Sequence, residues 1–167
     1  MSPIEPHSVV QWYRRFAPAL VLYARQWLDP TEAEDVVQEA FASVIVQPRE
    51  PASPQAWLFR VVRNASLHAV RSRRRRRRHE AARAEHSGGW FHADVTQPLD
   101  ARTAEAALRR LEADQREVIV LRIWGQLAWR EIAELTGRPT STLFSQYERG
   151  LKSLRERLES PCPKNES

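Results

Sequence analysis

The chain has 167 residues and a mass of 19.4 kDa, enough for one ordinary domain or two small ones. With 42% hydrophobic residues and a mean hydropathy of −0.58 it has the composition of a soluble, foldable chain. It shows no uncharged apolar run of the ~18 residues a membrane span needs, and no basic-then-apolar leader. The 26 Lys+Arg against 21 Asp+Glu give a net charge of +5, and the single cysteine, Cys162, excludes a disulfide framework and a Cys-rich zinc site, so a reducing cytoplasm is expected.

The charge is uneven, at +6 over residues 1–83, −2 over 84–103, +1 over 104–160 and 0 over the tail 161–167. In chain order, Val9, Val10, Tyr13, Phe16, Ala17, Leu20 and Tyr23 form the apolar set of a first helix, about 9–27, with Pro18 predicting a kink or break inside it. Thr31-Glu32-Ala33-Glu34 fits a capping box just after Pro30. Ala33, Val36, Val37, Ala40, Phe41, Val44 and Ile45 then make one stripe, with Glu32, Asp35, Gln38, Glu39 and Ala42 opposite.

Pro48, Pro51 and Pro54 keep 47–55 out of regular structure, and Ser53-Pro54 reads as N-cap and first-turn proline. The helix that follows carries Leu58, Val61, Val62, Ala65 and Ala69 on one stripe and Trp57, Arg60, Asn64, His68 and Arg71 on another. It leads into Arg71 to Arg78, interrupted only by Ser72. Residues 84–103, with Gly88-Gly89 and Pro98, read as a linker between two small helical domains, in which Trp90-Phe91 is an unusual apolar pair.

The second half offers another capping box, Asp114 to Glu117, with Gly125 as a plausible residue just past a helix end. A short helix with Ile132, Ala133 and Leu135 inside, a turn at Gly137, and a longer helix with Leu143, Tyr147, Leu151, Leu154 and Leu158 complete the helix-turn-helix pattern. An ordinary helical hairpin gives the same pattern. The expected fold is all-α, in two small helical domains joined by a flexible linker.

Catalysis has little support, because the five histidines lack metal-ligand spacing and no glycine-rich phosphate loop is present. No enzyme, cofactor or metal is expected. The arginine run is either a solvated block or, as the continuation of a helix, a set of phosphate contacts from Arg73, Arg74, Arg75, Arg76 and Arg77. The Trp57, Arg60, Asn64, His68, Arg71 stripe suits single-stranded nucleic acid, with stacking on Trp57 and a base edge on Asn64. Equally, Trp57 is a core residue and the remainder solvated surface.

The residues resemble a known family. Glu34 to Phe41 (EDVVQEAF) is similar to the polymerase-binding signature of region 2 in bacterial sigma-70-type factors. Pro54 to Arg77 is similar to the promoter-opening helix after it, and Trp129 to Leu158 to region 4. Two such blocks with no intervening region 3 resemble the extracytoplasmic-function (ECF) group, over roughly residues 10–158. The resemblance implies a region 2-like domain at 1–83, a linker at 84–103 and a region 4-like domain at 104–160.

It further implies core RNA polymerase (clamp helices and flap) and promoter DNA as partners, an anti-sigma factor as a further candidate, and no membrane. Asp35, Gln38 and Glu39 match the clamp-contacting positions, and the segment from Gln47 to Asn64 matches the part that captures a flipped minus-10 base. Thr140, Ser141, Thr142, Ser145, Gln146 and Arg149 would face the minus-35 duplex, with Phe144 at the border either touching a thymine methyl or, the preferred reading, packing on the neighbouring helix. Two departures stand out. Phe144 and Gln146 replace residues that are usually basic, and Ala128 stands where a Ser or Thr commonly caps. A DNA-binding regulator that works without polymerase, and a basic helical adaptor protein, are the alternative readings.

Overall fold

The computed structural model describes residues 4–80 and 105–159. The expected linker with Trp90 and Phe91, and the tail with Cys162, lie outside them. All regular structure among the described residues is helical, as expected: α1 (Pro6–Ala24), α2 (Pro30–Ile45), α3 (Pro54–Glu80), α4 (Ala113–Ile119), α5 (Trp129–Thr136) and α6 (Thr140–Glu159). Residues 105–109 are also helical, and α4 runs on through a π-helical turn, Val120–Trp124.

In the first half α1, α2 and α3 pack pairwise into a bundle. The apolar periodicity explains it: Val9, Phe16, Ala17, Leu20 and Tyr23 of α1 are buried against Ala33, Val37, Ala40, Phe41 and Val44 of α2 and Leu58, Phe59 and Val62 of α3. The ends of the stripes escape the core, and Val10, Tyr13 and Ile45 are exposed. Of the expected kink or break at Pro18, the break does not occur, since α1 continues through it. Pro18 and Arg14, whose carbonyl loses its i+4 donor, both sit at the exposed surface, where water can replace the missing bond.

The capping box of α2 lies two residues upstream of the expected one. Asp29 is the N-cap: its Oδ1 accepts from the Glu32 amide at 2.9 Å, and Glu32 Oε2 accepts from the Asp29 amide at 3.3 Å. Pro30 occupies the first helical position, where its missing N–H costs nothing. The expected N-cap of α3 is present, with Ser53 Oγ accepting from the Ala56 amide at 3.3 Å.

In the second half, α4 and α6 pack together and α5 bridges them. Gly137 ends α5 with φ +70°, the left-handed turn expected of it. Gly125 has a different role from the expected one. Its φ is −72°, and the left-handed residue is its neighbour Gln126 at φ 51°. A Cβ on Gly125 would lie 2.6 Å from the Leu121 carbonyl oxygen and 3.1 Å from Phe59 Cζ, so this glycine permits close approach of α3.

The expected box at Asp114 also fails. Helix α4 starts two residues earlier, with Glu112 at the N-cap position and no side-chain cap, and Glu117 is committed elsewhere. At α5, half of a box survives despite Ala128, because Glu131 Oε2 accepts from the Ala128 amide at 2.8 Å. The two halves share one continuous apolar core, with Tyr23 and Phe59 on one side and Ile119, Val120 and Leu121 on the other.

The two candidate boxes of α2 are separable by experiment. Asp29→Ala is expected to lower the unfolding free energy by ~1 kcal/mol, and Thr31→Ala to change it by less than ~0.5 kcal/mol. Urea unfolding of the two variants checks this, and the reverse order would restore the Thr31 register.

Candidate nucleic-acid interface

On α2, Asp35, Gln38 and Glu39 are all exposed, on the side away from the buried stripe. On α3, Arg60, Asn64, His68 and Arg71 are exposed along one side, at spacings of four, four and three. Trp57 differs from them: it is half-buried and packs against the core, so one part of its ring supports the fold and the remainder meets solvent.

The arginine run stays helical to Glu80. Arg74, Arg75, Arg76 and Arg77 are exposed. Arg73 is not available in the same way, because its Nη2 donates to both oxygens of Glu32, at 2.7 and 2.5 Å, tying α3 to the start of α2. Because this pair is about a third exposed on each side, solvent screens it.

On α6, Thr140, Ser141, Thr142, Ser145 and Arg149 are exposed, as the helical spacing requires. Gln146 is not. It is 8% exposed and faces α4, where its Oε1 accepts from Arg138 Nη1 at 2.7 Å and its Nε2 donates to Asp114 Oδ2 at 3.4 Å. Its expected position on the DNA-facing side is therefore corrected. Gln146 lies three residues after buried Leu143 and four before buried Gly150, so it belongs to the packed line of the helix. Phe144 packs on Trp129 with ring centroids 4.2 Å apart, and Tyr147 meets the same indole edge-on at 5.3 Å. The guanidinium of Arg122 covers the indole at 5.0 Å, so Trp129 organises the aromatic side of the helix-turn-helix.

The most elaborate polar site involves residues that the sequence reading missed. Glu117 on α4 is 6% exposed. Its Oε1 accepts from the Tyr23 hydroxyl at 2.8 Å and from Arg63 Nε at 2.9 Å, both in the first half of the chain. Its Oε2 accepts from Arg138 Nη2 at 2.5 Å within the second half. Burial, reinforced by the Glu117 charge, pushes the Tyr23 hydroxyl well above its ordinary range, so it remains the proton donor. Burial alone would lower Arg63, but its hydrogen bond to Glu117 and the carboxylate charge outweigh this and raise it.

The signal for this site was present in the sequence. Arg63 follows Phe59 by four residues and so sits near the buried line of α3, where a charge implies a partner. Three further contacts join the halves: Ser53 Oγ to Glu131 Oε1 at 2.7 Å, Gln55 Nε2 to the Gly125 carbonyl, and the buried Arg25–Glu105 ion pair at 2.9 Å. Among the described residues, no group of three or more His, Cys, Asp or Glu is placed to hold a metal, and no helix is long and apolar enough to cross a membrane.

Comparison with known proteins agrees with this arrangement. Residues 12–76 match the family model Sigma-70 region 2, and residues 101–154 match Sigma-70, region 4. The chain is 32% identical to an RNA polymerase sigma-E factor of Streptomyces antibioticus over 139 residues, covering 79% of this chain and 73% of that one. It is 34% identical to the ECF RNA polymerase sigma factor SigJ of Mycobacterium tuberculosis over 120 residues, covering 64% of this chain but only 36% of SigJ. Among solved structures it is similar to the sigma factor RpoE of Bartonella quintana, crystallised with the anti-sigma factor NepR. There the TM-score is 0.71 at 27% identity, covering 93% of this chain and 99% of that one. The chain belongs to the sigma-70 family of RNA polymerase sigma factors, in its ECF group.

The placement of Gln146 gives a direct test. Gln146→Ala removes an acceptor from Arg138 and is expected to cost ~1–2 kcal/mol of stability in urea. It should leave the affinity for the protein's own upstream duplex DNA, measured well below the melting temperature, unchanged. A loss of about 1 kcal/mol or more in duplex affinity, confined to particular base pairs, would return Gln146 to the DNA face.

Proposed function

We propose that this chain directs promoter-specific transcription initiation by binding core RNA polymerase, with the region 2-like half at residues 1–83, the linker at 84–103 and the region 4-like half at 104–160. Asp35, Gln38 and Glu39 bind the polymerase clamp helices. Their exposure as one polar face opposite the buried stripe supports this role.

The minus-10 element is taken by α3. An unpaired base stacks on the solvent-facing part of Trp57, Asn64 bonds a base edge, and Arg60, His68 and Arg71 line the strand. Arg74 to Arg77 add phosphate contacts, with Arg73 joining only if it leaves Glu32. The region 4-like half meets the polymerase flap and reads the minus-35 duplex through α6. The first-turn amides and hydroxyls at Thr140, Ser141 and Thr142 face phosphate, and Ser145 and Arg149 reach the groove.

The single observation that carries the reading is the exposed Arg60, Asn64, His68, Arg71 line on a helix that runs directly into the arginine run. It occurs in a chain whose second half is a helix-turn-helix. The protein works in the cytoplasm as a specificity subunit with no catalytic step of its own. The complex of the Bartonella relative with NepR supports an anti-sigma factor as a further partner.

Run-off transcription with core polymerase and the protein's own upstream DNA tests the reading. Duplex binding without a transcript would favour a regulator that works without polymerase. Asp35→Ala combined with Glu39→Ala is expected to weaken core binding roughly tenfold with helicity and melting unchanged. Arg60→Ala and Asn64→Ala are expected to reduce promoter opening, read by permanganate reactivity of unpaired thymines, more than they reduce binding to closed duplex. Normal bubbles in both variants would remove the α3 stripe from the DNA path.

A further inference from the structure

Phe144 is out of keeping with its surroundings. It is the fifth residue of α6, within the N-terminal turns that a recognition helix presents to base edges. Its exposed neighbours Ser141, Ser145 and Glu148 are polar, yet the phenylalanine is itself 43% exposed. Packing accounts for the covered part of the ring, which lies on the Trp129 indole with centroids 4.2 Å apart and planes at 36°. The indole is in turn held by the Arg122 guanidinium at 5.0 Å and the Tyr147 ring at 5.3 Å. The phenyl ring is thus braced on one side and open on the other, so presenting it to a ligand costs little further side-chain entropy.

A solvated apolar ring gains free energy by covering another apolar group. The bases of a duplex are stacked, so a side chain entering the groove meets only their edges. In the major groove the edges of adenine, guanine and cytosine present hydrogen-bond donors and acceptors, which a phenyl ring cannot satisfy. Thymine adds an apolar group, its C5-methyl. Phosphate is a poor partner on this side of the helix, because the ring is uncharged and Glu148, one turn on, is repelled by it. A basic side chain at the same place would instead bond guanine or phosphate.

We propose that Phe144 is a specificity-determining residue that reads one thymine methyl in the minus-35 duplex, giving this chain a preference for T·A where an arginine would select G·C. This inference rests on the reading of α6 as the minus-35 helix. The contact with Trp129 and the contact with the methyl use different parts of one ring, so the packing of Phe144 prepares the readout and does not replace it.

The test measures binding of the full-length chain, together with core polymerase, to the protein's own upstream duplex, at a temperature too low for strand opening. Each thymine of the minus-35 segment is replaced in turn by uracil, which pairs identically and lacks only the methyl. The parent chain is expected to lose about fourfold in affinity at one position, the ratio for one methyl-sized group left in water. Phe144→Ala is expected to bring the thymine-to-uracil ratio at that position to one, whatever its overall affinity. Phe144→Arg, whose guanidinium keeps a packing contact with the Trp129 indole, is expected to do the same. The ratio is taken within each protein, so any loss of stability cancels from it.

Equal affinity of the parent for every uracil duplex overturns the inference. So does a ratio that stays near fourfold in either variant, which would hand the methyl to another side chain. A parent that binds none of the duplexes, the unsubstituted one included, overturns the minus-35 reading and this inference with it, whereas one that binds them all alike overturns the inference alone.

Discussion

The arrangement of the molecule depends on one buried carboxylate. An isolated charge in an apolar interior is prohibitively costly, so Glu117 can stay buried only where cations and donors converge on it. Three do: a phenol from α1, a guanidinium from α3, and a guanidinium from the turn between α5 and α6. Satisfying this group fixes the distance and rotation between elements far apart in sequence, since Tyr23 and Glu117 are 94 positions apart. The raised Tyr23 hydroxyl and the raised Arg63 guanidinium are the same fact seen from the partners' side. Each is held in the protonation state that donates to the carboxylate.

Helix α3 connects this joint to nucleic-acid binding. Its inner side gives Leu58, Phe59 and Val62 to the core and Arg63 to Glu117, while its outer side offers Arg60, Asn64, His68 and Arg71. The first turn bonds the other half of the chain through Ser53 and Gln55, and the last turns carry unshielded arginines. A single rigid rod thus links the docked joint, the proposed strand-capture surface and the phosphate-binding end. Displacement of its first turn moves all three together.

The fold was legible where burial follows a period, and less so where polar groups are buried. The apolar stripes of α1, α2 and α3 gave three helices with the expected inward faces, and the outward positions of Asp35, Gln38, Glu39, Arg60 and Asn64 followed from the same spacing. The capping box was ambiguous because Asp29-Pro30-Thr31-Glu32 and Thr31-Glu32-Ala33-Glu34 both satisfy the pattern. The preference of proline for the first helical position decides it for Asp29. Gln146 and Glu117 escape local pattern for a common reason. Each is polar, so its neighbourhood in sequence points to a surface or a cap, although each lies within the packed part of its helix. Their partners, Arg138, Asp114, Tyr23 and Arg63, come from other segments, which no local pattern reports.

A joint of this composition suits reversible docking. Interfaces between domains of one chain resemble transient complexes, being more polar than a core, and a buried ion pair adds little net stability even though removal of one partner is costly. Tyr23 and Phe59 from one half, and Ile119, Val120 and Leu121 from the other, supply the apolar part through the core that the two halves share. Removing Tyr23 or Arg63 leaves the buried Glu117 carboxylate short of a donor, so the pairing of this one group depends on both halves of the chain being in place.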